Sequence, residues 1–181
     1  MRKILAASFL LLVASVASLA QNDAPKRGPS TAEERKRFVA ITHKMEEAPL
    51  DPALRKEREW ALRWLIAIPD INVSPCDAEV LGSFQASGYK YTSEIRGQFS
   101  FSMAVFMIEH PDKAKDVAAV NAAGAEGAVK AYRSILRDDP VAQSRLLEVL
   151  SAMQRQNKLA DYVKEVTKNG CKVEGGDDSS S

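Results

Sequence analysis

The sequence predicts an all-α protein, a single irregular bundle of five to six helices with one disulfide. Three features predict this fold class. Apolar residues recur every three or four positions in most segments between prolines, which is the spacing of one helix face. Only residues 71–73 come near the alternating pattern of a strand. The two cysteines, Cys76 and Cys171, each lie beside the end of a predicted helix.

The first two helices have clear start and stop signals. Ser30 and Thr31 followed by Glu33 and Glu34 form a capping signal, so the first helix begins there and ends near Ala48, before a proline. An Asp-Pro step at Asp51 starts the second helix, which runs to Ile68, again before a proline. The polar side of this second helix mixes acidic and basic residues, which is typical of a solvated face.

The middle of the chain predicts a central helix and a long neighbour. Residues 77–84 are expected to form a short helix. Thr92 starts a helix that is apolar on nearly every side as far as Ile108, which is typical of a helix in the centre of a fold. Asp112 is then expected to cap a long helix that reaches Arg137.

The long helix carries small apolar residues, which let two helix backbones approach closely. Its Gly124 and Gly127 predict a kink or a break. Asp139 and the proline after it are expected to open the next helix, and Asn157 the last, which Gly170 closes. The apolar faces together predict one core that contains Trp60, Trp64, Phe99, Phe106, Tyr132 and Leu147.

Residues 1–20 predict a signal peptide. Arg2 and Lys3 precede an apolar stretch, and small residues lead up to Ala20, after which signal peptidase is expected to cut. The mature protein is then periplasmic or secreted, with no stable membrane span. The alternative is an uncleaved anchor, which the short apolar stretch disfavours because a span needs about 20 apolar residues.

The rest of the chain divides into three parts. Residues 21–30 are polar and predict a flexible leader, and residues 173–181 contain too few apolar side chains to fold and predict a disordered tail. Residues 31–172 lie between them without a break in composition. They predict one helical domain, long enough to bury a core.

The charge balance disfavours nucleic acid as a partner. The 181 residues carry 25 basic and 24 acidic side chains, and loss of Arg2 and Lys3 with the leader leaves a net charge of −1. A nucleic-acid-binding surface needs a basic patch that this balance does not provide.

Cys76 and Cys171 are predicted to form an intramolecular disulfide. An even number of cysteines in an exported protein favours a disulfide. The alternatives are a reactive thiol and an intermolecular bridge. No C-x-x-C pattern supports redox catalysis.

Residues that could carry chemistry are few. The sequence has two histidines, His43 and His110, and no motif of a serine hydrolase, a phosphate loop or a dinucleotide fold. His43 and Glu46 share a helix face and could offer two metal ligands, but zinc sites use three or four ligands. We therefore predict no catalytic residue, no metal and no cofactor. The alternative is a small periplasmic enzyme that uses His43 and His110 with nearby carboxylates.

The end of the predicted long helix has the residue spacing of half a tetratricopeptide unit. Ala128, Tyr132 and Pro140 have the spacing of the second helix of such a unit, whereas the first-helix pattern is absent. A helical adaptor is therefore a second alternative.

A broader resemblance covers most of the mature chain. It rests on the leader, the two cysteines and four segments, residues 58–65, 68–70, 107–111 and 126–132. With these features the chain resembles small exported helical proteins of Acidobacteria-like soil bacteria. The resemblance implies export and a helical fold, and it implies no activity and no site residue.

The leading functional hypothesis is a non-enzymatic binding or interaction protein of the cell envelope, with a protein partner as one possibility. It rests on the missing catalytic motifs and on the aromatic and methionine side chains around the central helix. Such a stripe is also typical of a plain hydrophobic core.

Overall fold

The computed structural model describes residues 27–171, and within them it confirms the all-α fold. There are seven α-helices where five to six were predicted: α1 (Ala32–Glu47), α2 (Arg55–Ala67), α3 (Asp77–Val80), α4 (Thr92–Glu109), α5 (Val117–Asp138), α6 (Arg145–Arg155) and α7 (Leu159–Thr167). Three short 3-10 turns join them, at Pro52–Leu54, Gly82–Ser87 and Pro111–Lys113. The described residues form no strand. The predicted signal peptide, most of the leader and the predicted tail lie outside the described residues.

The predicted start of α1 is confirmed. The Thr31 side chain accepts a hydrogen bond from the Glu34 backbone N–H, and the Glu34 side chain accepts one from the Thr31 N–H. These two bonds satisfy N–H groups that the first helical turn leaves free. Ser30, placed at the end of the predicted leader, is buried and donates through its N–H and hydroxyl to the carboxylate of Asp70, so the ordered chain already begins before α1.

The predicted starts of two later helices are wrong. Asp112 lies in a 3-10 turn, and α5 is capped instead by Asp116, whose carboxylate accepts from the Ala119 N–H at 3.0 Å. Asp139 does not open α6. It is the C-cap residue of α5, and α6 begins only at Arg145. An Asp-Pro step permits a helix start without requiring one, and contacts elsewhere in the fold decide.

The predicted kink at Gly124 and Gly127 is wrong, because α5 is continuous from Val117 to Asp138. The two glycines instead let α5 lie close against α4. A Cβ on Gly124 would come within 2.8 Å of Met103, and one on Gly127 within 2.5 Å of the Ser102 Cβ. The missing side chains therefore set the distance between the two central helices.

The single predicted core consists of two adjoining clusters. Phe99, Tyr132 and Leu147 lie in a cluster around α4 and α5, whereas Trp64 lies in one between α1, α2 and the other face of α4. Trp60 and Phe106 are only partly buried. The prediction of one core failed because α4, apolar on nearly every side, carries a separate cluster on each face.

The predicted disulfide is present. Cys76 and Cys171 are bonded, with Cα atoms 5.0 Å apart, which lies within the usual range for disulfides. The bond connects the start of α3 with the chain that follows α7. Tyr162 in α7 also donates a hydrogen bond to the Val80 carbonyl of α3, at 3.1 Å. The two links fix α7 against α3.

Candidate functional site

A cleft lies between two segments that are distant in sequence. One wall is residues 81–90, which follow α3, and the other is residues 139–149, which connect α5 to α6 and include its first turns. The cleft has two adjoining chambers, which we call the apolar chamber and the polar chamber. Ser87, Ser144 and Arg145 line both of them.

The apolar chamber has a volume of about 490 Å³. Leu81 and Phe84 on one wall are buried in the core, at 2% and 3% exposure, so the hydrophobic core itself provides part of the lining. Leu146 and Val149 lie on the opposite wall, and Val149 is 45% exposed. Binding sites for small molecules are typically concave, mostly apolar and between 300 and 1,000 Å³. The apolar chamber meets each of these criteria.

The polar chamber, of about 470 Å³, contains an acidic and a basic side chain that pair with each other. Asp139 accepts a hydrogen bond from the Tyr91 hydroxyl at 2.6 Å and one from the Lys90 ammonium at 2.9 Å. These two bonds lower the pKa of Asp139, and the bond from Tyr91 has the larger effect. The carboxylate is therefore ionised and engaged at neutral pH, and it joins the two walls of the cleft.

Two further tyrosines fix the cleft walls. Tyr89 donates from its hydroxyl to the Ala142 carbonyl at 3.1 Å. Tyr132 donates to the Glu148 carboxylate at 2.7 Å and accepts from the Ser144 N–H at 3.1 Å. Burial raises the pKa of Tyr89, and it raises that of Tyr132 to about 12. Both phenols therefore stay protonated at neutral pH and serve as hydrogen-bond donors.

Arg145 differs from the other charged residues of the cleft. It is the first residue of α6, is exposed, and forms no hydrogen bond or ion pair with any residue in the described part of the chain. Its side chain lies where the two chambers meet. The cleft thus combines an apolar lining with one unpaired cation.

A second polar cluster is buried where α1, α4 and α5 meet. Glu46 accepts a hydrogen bond from the Ser102 hydroxyl at 3.2 Å and pairs with Lys130 at 3.4 Å. Gln98 donates to the Ser102 hydroxyl at 3.0 Å. Ser102 is 6% exposed, and the space beside it is filled by the close approach of Gly127. The Ser102 hydroxyl is buried, and the bonds of this cluster join α1, α4 and α5.

The two histidines are not brought together. His43 contacts Glu46 at 3.3 Å, as their helical spacing predicted, whereas the ring of His110 lies on that of Phe106 at the end of α4. Glu46 also contacts Ser102 of α4. From Ser102 to His110 the helix rises by about 12 Å, so the two histidines lie near different points of α4. The arrangement gives no support to an active site that combines both histidines.

No three metal-binding side chains among residues 27–171 are grouped so that they could hold an ion. Over the same residues, no helix has both the length and the apolar character needed to cross a membrane. In the cleft, Tyr89, Lys90 and Asp139 are engaged in hydrogen bonds within the protein, which leaves Arg145 as the charged side chain available to a bound molecule.

The cleft was not predicted, because its walls come from segments about 50 residues apart and its tyrosines resemble ordinary core residues. One available signal was Val141, an apolar residue within a polar stretch. In the fold, Val141 is 90% exposed and lines the polar chamber. In comparisons with known proteins, no family model, no curated protein and no solved structure matches this chain.

Proposed function

We propose that this protein is a non-enzymatic binding module of the cell envelope that holds an apolar ligand in its cleft. The observation that carries the proposal is the apolar chamber, which is of ligand size and is lined by Leu81, Phe84, Leu146 and Val149. A ligand there would remove the exposed face of Val149 from water, and each buried Å² of apolar surface contributes about 25 cal/mol.

Binding is favoured over catalysis by the state of the polar groups. Tyr89 bonds to the Ala142 carbonyl across the cleft, and Asp139 bonds to Lys90 and Tyr91. Tyr132, on α5, bonds to the Ser144 N–H. A general acid or base needs a titratable group that faces the substrate and exchanges protons near the working pH. The phenols and the engaged carboxylate of this cleft do not fit that requirement.

A tetratricopeptide-like adaptor is less well supported. In a stack of helical repeats, each unit contacts only its neighbours. Here α5, which carries the half-unit pattern, contacts α1, α4, α6 and α7. This central position fits a globular bundle.

Export to the periplasm or the medium is part of the proposal. It rests on the leader of residues 1–20, and the Cys76–Cys171 bond supports it because disulfides persist in oxidising compartments. Amino-terminal sequencing of the protein recovered from the cell envelope should begin at Gln21. A mature chain that begins at Met1 would contradict export with cleavage.

Binding in the cleft can be tested with Nile red, a neutral dye that fluoresces in apolar surroundings. We expect saturable enhancement with one site per chain. The Val149→Glu variant should lose most of the enhancement, because a carboxylate in the apolar chamber must be desolvated when the dye binds.

The matched control is Leu62→Glu on α2. Leu62 is 51% exposed and lies in a helix, as Val149 does, but it does not line the cleft. This variant should bind the dye as the unchanged protein does. Equal enhancement in both variants, with circular dichroism showing both folded, would reject the cleft as the binding site.

A further inference from the structure

The position of Arg145 narrows the class of ligand. Its side chain lines both chambers and is the only basic residue of the apolar chamber's described lining. An exposed guanidinium without a partner, next to an apolar cavity, is free to pair with a group on a bound molecule.

Among the described residues, no neighbouring carboxylate forms an ion pair with Arg145. Lys90 and Asp139 pair with each other at 2.9 Å. Glu148 lies one turn after Arg145 in α6, but its carboxylate accepts the Tyr132 hydroxyl at 2.7 Å, and Glu148 does not line either chamber. The described side chains that line the cleft therefore carry one positive charge more than negative charges.

The position of Arg145 in α6 also favours an anionic ligand. Because Arg145 is the first residue of this helix, it lies at the end where the helix dipole is positive. A guanidinium also offers two parallel N–H donors that match the two oxygens of a carboxylate.

We infer that the ligand is a single-chain aliphatic anion, with its chain in the apolar chamber and its charged end at Arg145. This inference rests on the proposed function, since it requires the cleft to bind a ligand. The chamber volume of about 490 Å³ suits one aliphatic chain, and the exposed position of Arg145 leaves the charged end close to water.

The test compares three probes of one chain length by calorimetry at low salt: octanoate, octanol and octyltrimethylammonium. We expect octanoate to bind about three- to fivefold more tightly than octanol, which is the upper end of the range for a solvent-exposed ion pair. The cation should bind more weakly than octanol. The preference for octanoate should shrink in high salt, because salt screens exposed charges.

Arg145→Gln should lower the affinity for octanoate by the same three- to fivefold. The matched control is Arg55→Gln, since Arg55 is also an exposed first residue of a helix, but lies on α2 and outside the cleft. It should leave octanoate affinity unchanged. Circular dichroism of both variants confirms that they are folded.

The possible outcomes separate this inference from the proposed function. Equal affinity for octanoate and octanol, or no effect of Arg145→Gln, would overturn the inference and leave the binding cleft in place. Failure of both octanoate and octanol to bind or to displace Nile red would overturn the proposed function itself. Sedimentation with vesicles of anionic phospholipid, without binding of octanoate, would also overturn the inference, because the partner would then be a membrane surface.

Discussion

Tyr91 donates its hydroxyl hydrogen to Oδ2 of Asp139 over 2.6 Å and so connects residues 48 positions apart in the sequence. Asp139 lines the polar chamber, and Lys90 donates a second hydrogen bond to the same oxygen. Together they lower the pKa of Asp139 in the folded protein. The carboxylate therefore stabilises the fold above the ordinary aspartate pKa of about 4, and this stabilisation is lost as the pH falls through the lowered value.

Asp139→Asn should consequently destabilise the protein at pH 7, and the difference from the unchanged protein should shrink as the pH falls below about 4. Urea unfolding of the two proteins between pH 3 and pH 7 measures the loss of stability at pH 7 and its decrease at lower pH. Asp138→Asn is the control, because the neighbouring Asp138 is exposed and has no hydrogen bond or ion pair within the described residues. A difference between Asp139→Asn and the unchanged protein that is constant with pH would show that the carboxylate contributes no charge-dependent stability.

Gly127→Ala should destabilise the protein by about 1–3 kcal/mol, although alanine is the better helix former by up to about 1 kcal/mol. The added Cβ would meet the side chain of Ser102 and push α4 away from α5. Gly97→Ala in α4 is the control, since a Cβ there meets nothing within 4 Å, and it should stabilise the fold by about 0.5–1 kcal/mol. If thermal unfolding moves in the same direction for both variants, the close approach of the two helices is not a constraint.

Phe99→Ala should cost about 3–5 kcal/mol, because Phe99 is fully buried and its removal leaves a cavity between α4 and α5. The sequence predicts that Phe106 belongs to the core as well. Phe106 is only partly buried and rests against the ring of His110, so Phe106→Ala should cost about 1–2 kcal/mol. Denaturant unfolding of the two variants gives the comparison, and a larger loss for Phe106→Ala would contradict the burial described here.

Replacing both cysteines by serine should destabilise the protein by about 3–5 kcal/mol, since the bond closes a loop of 95 residues. Hydrogen exchange should increase first in α7, which the bond and Tyr162 fix to α3. Two free thiols in the purified, non-reduced protein would contradict the pairing.

Local signals predicted the features whose causes are local. The capping box of Thr31 and Glu34 joins residues three apart, so the start of α1 could be predicted correctly. The cysteine pairing followed from there being only two cysteines in a predicted exported chain. In contrast, Asp51 and Asp139 have the same Asp-Pro pattern, and only Asp51 caps a helical turn, because Asp139 is engaged with Tyr91.

Local sequence signals did not predict the candidate site. Its lining depends on how residues 81–90 meet residues 139–149, and that depends on the packing of α5 against α4 and α7. The glycines that set this packing were interpreted as helix breakers, since sequence alone does not show what faces them. Arg145 was likewise one charged residue among many, because sequence alone does not show that it lines the cleft without a partner among the described residues.

The central claim is that the cleft is where a ligand binds, and methyl chemical shifts during titration with octanoate test it most directly. We expect the methyl signals of Leu81, Leu146 and Val149 to shift with one common saturation curve. The methyl signals of Leu62 and Ile66, exposed on α2 and remote from the cleft lining, should stay unchanged. Shifts confined to α2, or no shift of the cleft methyl signals, would contradict the claim.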